Sequence, residues 1–270
     1  LLARDGRPHG IEFLDICYKT ITEAGFDVID CGIIPTPTAQ FIVQENNFSG
    51  GLLLTASHNP TEWNGLKFLD EGGCFVNPEK TQLLLDKADE KVFPNCESKG
   101  EISKNMDFWK NHLNHTINLS CIDTRLIKSK NFKVVVDAVN SAGSEIIPNL
   151  LEDLNCEVIK INCDSTGEFV RGAEPLPENL SQLSQKVISE KADFGLATDP
   201  DADRLAIVDE KGDPLGEEFT LAIAIDGFLQ NSKNKNPIVV NLSTSMLSKF
   251  SCNKHNVELV RAKVGEINVV

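Results

Sequence analysis

Three times along the chain, a short apolar run of strand length gives way to a polar loop, an amphipathic helix and a second short apolar run. In the first instance residues 1–4 read as the strand, and Ile11, Leu14, Cys17 and Ile21 fall on one helical face. Gly25 then stands where a helix end needs left-handed backbone, and residues 26–29 resume as strand. In the second, residues 132–137 are a β-branched run, and Ile146, Ile147, Leu150, Leu151 and Leu154 form a helical stripe before a strand over 156–161. Pro148 is compatible with that helix only near its first turn. In the third, residues 238–241 and 257–261 flank a helical stretch through 246–250. Parallel strands need a crossover, so each instance predicts a right-handed βαβ unit. The fold class expected is α/β, with tandem βαβ-type three-layer domains of similar topology. Boundaries are expected near Lys104 and Asp213, giving domains over 1–104, 105–213 and 214–270.

With 41% hydrophobic residues the chain can bury a substantial core, and with 26 Lys and Arg against 40 Asp and Glu it carries a formal charge of −14. That balance argues against a nucleic-acid or anionic-membrane partner, so an anionic substrate needs a local cluster of Arg, Lys and His. No apolar run approaches the roughly 18–20 residues of a membrane helix. The 8 cysteines are scattered, with no C-x-x-C and no Cys/His cluster, which predicts reduced thiols rather than a zinc site. A reducing, cytoplasmic setting is expected; the oligomeric state is left open. Trp63 and Trp109 read as packing residues.

Residues 50–55 have a buried-strand pattern that runs into Ala56-Ser57-His58-Asn59-Pro60. Ligand sites on parallel sheets lie beyond the carboxyl ends of strands, where this polar cluster falls. Ser57 is a candidate nucleophile, with His58 and Asn59 as hydrogen-bond donors to oxyanions. Asn64-Gly65-Leu66-Lys67 reads as a turn delivering a lysine back toward the serine. A serine-hydrolase reading is weaker, because the G-x-S-x-G elbow is absent and adjacent Ser57 and His58 project differently.

Residues 193–198 and 205–209 read as strands that enclose Asp199-Pro200-Asp201-Ala202-Asp203-Arg204. Three alternating carboxylates can converge on one hard divalent cation, and Arg204 adds a positive fork suited to phosphate. Asp199, Asp201, Asp203 and Glu210 also match four positions of an EF-hand loop. Arg204 stands where that loop needs glycine, however, and the flanks are short and strand-like, so the EF-hand is rejected. A serine nucleophile, a divalent metal, a lysine and an arginine are the parts that phosphoryl transfer asks for. Because the two loops belong to different units, the active site is expected in a cleft between domains.

Thr55-Ala56-Ser57-His58-Asn59-Pro60 with Asn64-Gly65-Leu66-Lys67 resembles the phosphoserine loop of the α-D-phosphohexomutases, and Asp199 to Arg204 resembles their magnesium loop. Similar family segments are Arg4-Asp5-Gly6-Arg7-Pro8, residues 134–143, residues 174–180 and Lys263-Val264-Gly265-Glu266. The resemblance covers nearly the whole chain. It implies a four-domain enzyme whose first three domains share a topology. The first domain would be N-terminally incomplete, the third C-terminally incomplete, and the fourth absent. This chain alone is then expected to fold without turning over sugar phosphate. Ser141 stands where a glycine is common, and Pro200 and Ala202 replace familiar glycines, which predicts a stiffer loop holding the same metal.

What the resemblance implies for the chemistry is interconversion of hexose 6-phosphate and hexose 1-phosphate through phosphorylated Ser57 and a bisphosphorylated sugar. Mg²⁺ would be held by Asp199, Asp201, Asp203 and an oxygen on Ser57, with a sugar 1,6-bisphosphate as activator. Lys67 would transfer a proton or stabilise charge at the attacking oxygen, and His58 would support the loop. Arg7 and Arg204 would hold phosphoryl oxygens, and Gly265 and Glu266 would contact the sugar. The wording of the aspartate loop and of residues 171–180 points to the phosphoglucosamine mutases, with phosphomannomutases and phosphoglucomutases as alternatives. The rival from another class is a catalytically silent, metal-binding sugar-phosphate protein.

Overall fold

The computed structural model describes residues 1–91, 96–233 and 235–270. The first unit runs β1 (Leu2–Arg4), α1 (Gly10–Glu23), β2 (Val28–Ile33), α2 (Thr36–Glu45), β3 (Gly51–Leu54), β4 (Leu66–Leu69), α3 (Pro78–Glu90) and β5 (Ile102–Lys104). Helices α4 (Trp109–Ile117) and α5 (Thr124–Lys130) lead to the second unit. It comprises β6 (Lys133–Asp137), α6 (Gly143–Asp153), β7 (Glu157–Ile161), α7 (Ser181–Glu190), β8 (Phe194–Thr198) and β9 (Leu205–Val208). Last come α8 (Glu217–Asn231), β10 (Ile238–Asn241), α9 (Leu247–Lys254) and β11 (Leu259–Ala262).

The pairs β1–β2, β6–β7 and β10–β11 are each parallel across a helix, as the three repeated patterns require. Strand order is β4-β3-β1-β2-β5 in the first sheet and β7-β6-β8-β9 in the second. Read from the other edge, β9-β8-β6-β7 repeats β4-β3-β1-β2, and in both sheets the edge strand is antiparallel to its neighbour. The turns after these edge strands also correspond. Gly73 N–H donates to Asp70 O and Gly212 N–H to Asp209 O, each at 3.0 Å, before the chain enters α3 or α8.

Central strand β6 shows why a continuous valine run is needed there. Val134 and Val136 face Leu151 of α6, while Val135 faces Leu183 and Val187 of α7, so both faces are covered. A third core joins the units: Trp109 and Leu113 of α4 pack with Ala39, Ile42 and Val43 of α2 and with Ile146 of α6.

Three local expectations are corrected. Ile11 is 55% exposed, because α1 turns Leu14, Cys17, Tyr18 and Ile21 to the sheet and leaves its first turn outside. Pro148 lies inside α6 rather than in its first turn, where its ring removes one helical hydrogen bond. Trp63 is 62% exposed and does not pack, whereas Trp109 is buried. Among the described residues, no helix is long and apolar enough to cross a membrane.

Candidate active site between the first two units

Each chemical loop is the connection from an inner strand to an antiparallel edge strand. Residues 55–65 leave β3 and return as β4, closing on the pair Leu54 and Leu66. Residues 199–204 leave β8 and return as β9, closing on Thr198 and Leu205. Both loops lie at the carboxyl ends of parallel strands, the usual location for ligands on such sheets.

Buried Asp5, just beyond β1, organises the serine loop. Its carboxylate accepts from Thr55 Oγ1 at 2.7 Å and from the Arg7 backbone N–H at 3.0 Å, and it pairs with the Arg7 guanidinium. Thr55 Oγ1 in turn accepts the Ser57 N–H at 2.9 Å. Arg7 Nη2 donates to the carbonyl of Ser57 at 3.0 Å and also to that of Asn59. These bonds hold Ser57 at φ 50°, a left-handed conformation that costs a non-glycine residue roughly 1–2 kcal/mol.

Across the cleft, Ser57 Oγ lies 3.3 Å from Asp199 Oδ2 and 3.4 Å from His58 Nδ1. Lys67 reaches Asp201 Oδ2 at 2.6 Å and Asp203 Oδ2 at 3.3 Å. It does so from strand β4 and not from the turn before it, which contains Gly65. Burial presses the Lys67 ammonium down, but the two aspartates outweigh it and hold the group above the ordinary lysine value.

Asp199, Asp201 and Asp203 each offer a carboxylate oxygen, and these oxygens lie within 4.8 Å of one another. Asp199 and Asp201 are 0% and 1% exposed. Burial first, then the neighbouring Asp201 and Asp203 carboxylates, push Asp199 up to about 8. Burial also acts upward on Asp201, but Lys67 and the Thr36 hydroxyl hold it below the usual range. Asp201 Oδ1 is buried with no hydrogen-bond partner among the described residues. Crowded buried carboxylates with a bare oxygen fit a divalent cation, and an all-oxygen donor set fits a hard one.

The other anticipated residues fall less simply. Arg7 is fully buried, with Nη1 paired to Asp5 and Nη2 donating to the loop carbonyls, while its buried Nε has no hydrogen-bond partner among the described residues; its guanidinium lies 5.1 Å from the Phe169 ring. In this structure Arg7 braces the backbone of the serine loop. Arg204 donates its backbone N–H to Asp199 Oδ1 at 3.1 Å, while its partly exposed side chain pairs with Glu174. Glu266, after Gly265, accepts from Gln40 Nε2 of α2 at 2.7 Å, so the structure brings it to the first unit's helix rather than to Ser57.

Several residues that hold the site carried no local sequence signal. Ser141 Oγ accepts the Gly6 N–H at 2.8 Å and donates to the Pro200 carbonyl, tying the end of β1 to the aspartate loop. A Cβ on Gly6 would lie 2.9 Å from the Ser141 backbone, and one on Gly167 2.0 Å from the Gly6 carbonyl, so glycine permits this close approach. Arg171 pairs with Asp137 at 3.0 Å and donates to the Thr198 carbonyl, fixing the strand end from which the aspartates leave. Thr36 hydrogen-bonds Asp201.

The family models named "Phosphoglucomutase/phosphomannomutase, alpha/beta/alpha domain I" and "domain II" match residues 1–95 and 110–212. The chain belongs to the α-D-phosphohexomutase family. It is 34% identical over 272 residues to the Thermococcus kodakarensis "Phosphoglucomutase/phosphomannomutase", covering 100% of this chain and 59% of that protein. To the Methanopyrus kandleri "Probable phosphoglucosamine mutase" it is 32% identical, covering 99% of this chain and 58% of that protein. A phosphoglucomutase/phosphomannomutase family protein from Burkholderia thailandensis superposes with a TM-score of 0.80 at 23% identity, over 99% of this chain and 58% of that one. The chain thus spans somewhat under two thirds of the relatives it matches.

Against this phosphohexomutase background, Ala202 has a physical reading. Its φ is 52°, in the left-handed region where glycine costs nothing and alanine is strained. Ala202→Gly should therefore raise unfolding stability by about 1 kcal/mol. Urea denaturation checks this, and unchanged or lower stability would show that the loop gains its rigidity from the alanine.

Proposed function

We propose that this chain supplies the nucleophile and the metal loop of a phosphohexomutase that interconverts hexose 6-phosphate and hexose 1-phosphate. What supports the reading is one juxtaposition: a serine held in a left-handed conformation lies 3.3 Å from the first of three converging aspartates carried by a different unit. The domains would be 1–104, 105–213 and 214–270.

In this reading Ser57 carries a phosphoryl group and gives it to the free hydroxyl of the sugar phosphate. The P–Oγ bond breaks, a P–O bond to the sugar forms, and the sugar hydroxyl's proton ends on the released Ser57 Oγ. The bisphosphorylated sugar turns over, and Ser57 Oγ then takes the other phosphoryl group as its P–O bond to the sugar breaks and the serine proton passes to that sugar oxygen. Asp199, Asp201 and Asp203 would hold Mg²⁺, which when bound neutralises charge on the transferring group. Lys67 stabilises charge at the attacking oxygen, and His58 and Arg204 bind phosphoryl oxygens. Arg7 keeps the loop backbone fixed, and Gly265 and Glu266 would contact the sugar. A sugar 1,6-bisphosphate would prime the enzyme.

Glucosamine phosphate is the preferred substrate we infer, supported by the similarity to a protein named for that activity. Mannose and glucose phosphates are the alternatives. Eight free thiols support a reducing, cytoplasmic setting.

The test uses the protein expressed from its complete gene. After incubation with a sugar 1,6-bisphosphate, peptide mass spectrometry should find one phosphate on the segment containing Ser57. Turnover should then stop with chelator and return with Mg²⁺ but not Ca²⁺, since Mg²⁺ demands a tighter geometry with fewer ligands. An unphosphorylated serine with intact turnover would overturn the covalent reading, and full activity with Ca²⁺ would overturn the metal assignment.

A further inference from the structure

The geometry points to Thr36 as a positioning residue for the metal loop: a side chain of the first unit that fixes how the Asp201 carboxylate is turned, and so where its unbonded oxygen lies for a cation. The inference rests on the reading of the aspartate cluster as a metal site.

Thr36 opens helix α2, and it grips Asp201 at two points. Its hydroxyl donates to Asp201 Oδ2 at 2.6 Å, and its backbone N–H donates to the Asp201 carbonyl at 2.9 Å. The N–H is one of the donors that a helix start leaves without an internal partner, so α2 spends it on the opposite unit. Lys67 reaches the same Oδ2 at 2.6 Å. With one oxygen taken twice, the other, Oδ1, remains buried and without a hydrogen-bond partner among the described residues. A half-turn of the carboxylate only exchanges two equivalent oxygens; what the fixed Thr36 hydroxyl restricts is the tilt of the carboxylate, and so where its unbonded oxygen points.

Thr36 is itself immobilised. It is 1% exposed, and Ala39, Ile42 and Val43 of the same helix are 0% exposed in the core shared with α4. A hydrogen bond from a fixed element to a ligating carboxylate orients that ligand, and losing such a bond commonly weakens metal binding by about 10–100-fold. The hydroxyl is therefore expected to govern metal affinity without touching the metal or the sugar.

The experiment is a Mn²⁺ titration followed by electron paramagnetic resonance, with Mg²⁺ as competitor, on the protein from its complete gene and without substrate. Thr36→Val keeps the side-chain shape and removes the donor; it should weaken Mn²⁺ and Mg²⁺ binding about 10-fold or more. Thr36→Ser keeps the donor and should bind within about 2-fold of wild type, an extent of rescue that a purely structural role for the methyl group would not give. If Thr36→Val fails to fold, Thr36→Ala, which sets no methyl against the carboxylate, is read in the same way. Wild-type affinity in the valine or alanine protein, or equal weakening in the serine protein, overturns the role of Thr36. Absence of Mn²⁺ binding in the wild type sinks the metal reading, and this inference with it.

Discussion

Ser57→Ala is expected to lower hexose-phosphate turnover by about 10⁴-fold or more, the scale on which removing an enzyme's nucleophile acts. The loss should fall on turnover with substrate binding little changed, because the cleft, the aspartates and Lys67 do not depend on the hydroxyl. The alanine also keeps the backbone N–H that Thr55 Oγ1 accepts and the carbonyl that Arg7 holds, so the loop should keep its shape. The measurements are steady-state rates with glucosamine, mannose and glucose phosphates, together with phosphate incorporation. Turnover within about 10-fold of wild type would mean that the phosphoryl group never rests on Ser57.

Arg7→Met should destabilise the protein by about 3–5 kcal/mol, the usual cost of breaking a buried ion pair from one side. Both partners are enclosed, with side-chain exposures of 0% for Arg7 and 1% for Asp5. Burial pushes the Asp5 carboxyl up, while Arg7 and the Thr55 hydroxyl pull the other way. Removing the guanidinium leaves that carboxyl unpaired and also frees the carbonyls of Ser57 and Asn59. Because the same side chain braces the serine loop, activity should fall along with stability. Adding Asp5→Asn should restore part of the stability and none of the bracing. Urea unfolding reads the first effect and turnover the second. A change under about 1 kcal/mol would show that Arg7 is less committed to the scaffold than its geometry requires.

The strands, the crossovers and the two chemical loops were legible because each is written locally. A valine run buried on both faces, as at Val134 to Val136, and a helical stripe packed on it, as at Ile146 to Leu151, leave a periodic trace. The serine and aspartate loops were found from their chemistry and from the strands flanking them. Lys67 was found but set in a turn, because Asn64 and Gly65 carry strong turn character and the four-residue strand that follows is short. Thr36 was missed, and Ser141 and Asp5 were noted but given no role, for a different reason. Their partners are distant in the chain, and a threonine opening a helix or a serine in a loop looks like ordinary capping. Arg7 was named from the family resemblance, but its burial and its bonds to Asp5 and the serine loop leave no trace in a short motif.

The matching strand orders β4-β3-β1-β2 and β9-β8-β6-β7 place a constraint on both loops. Ser57 and Asp199 occupy corresponding places, each on the connection from an inner strand to an antiparallel edge, and each followed by a turn built on an aspartate and a glycine. The two units thus carry facing loops on the same kind of strand connection, with Ser57 Oγ 3.3 Å from Asp199 Oδ2 between them. An insertion or deletion in either loop is therefore constrained not only by its own unit but by the unit it faces.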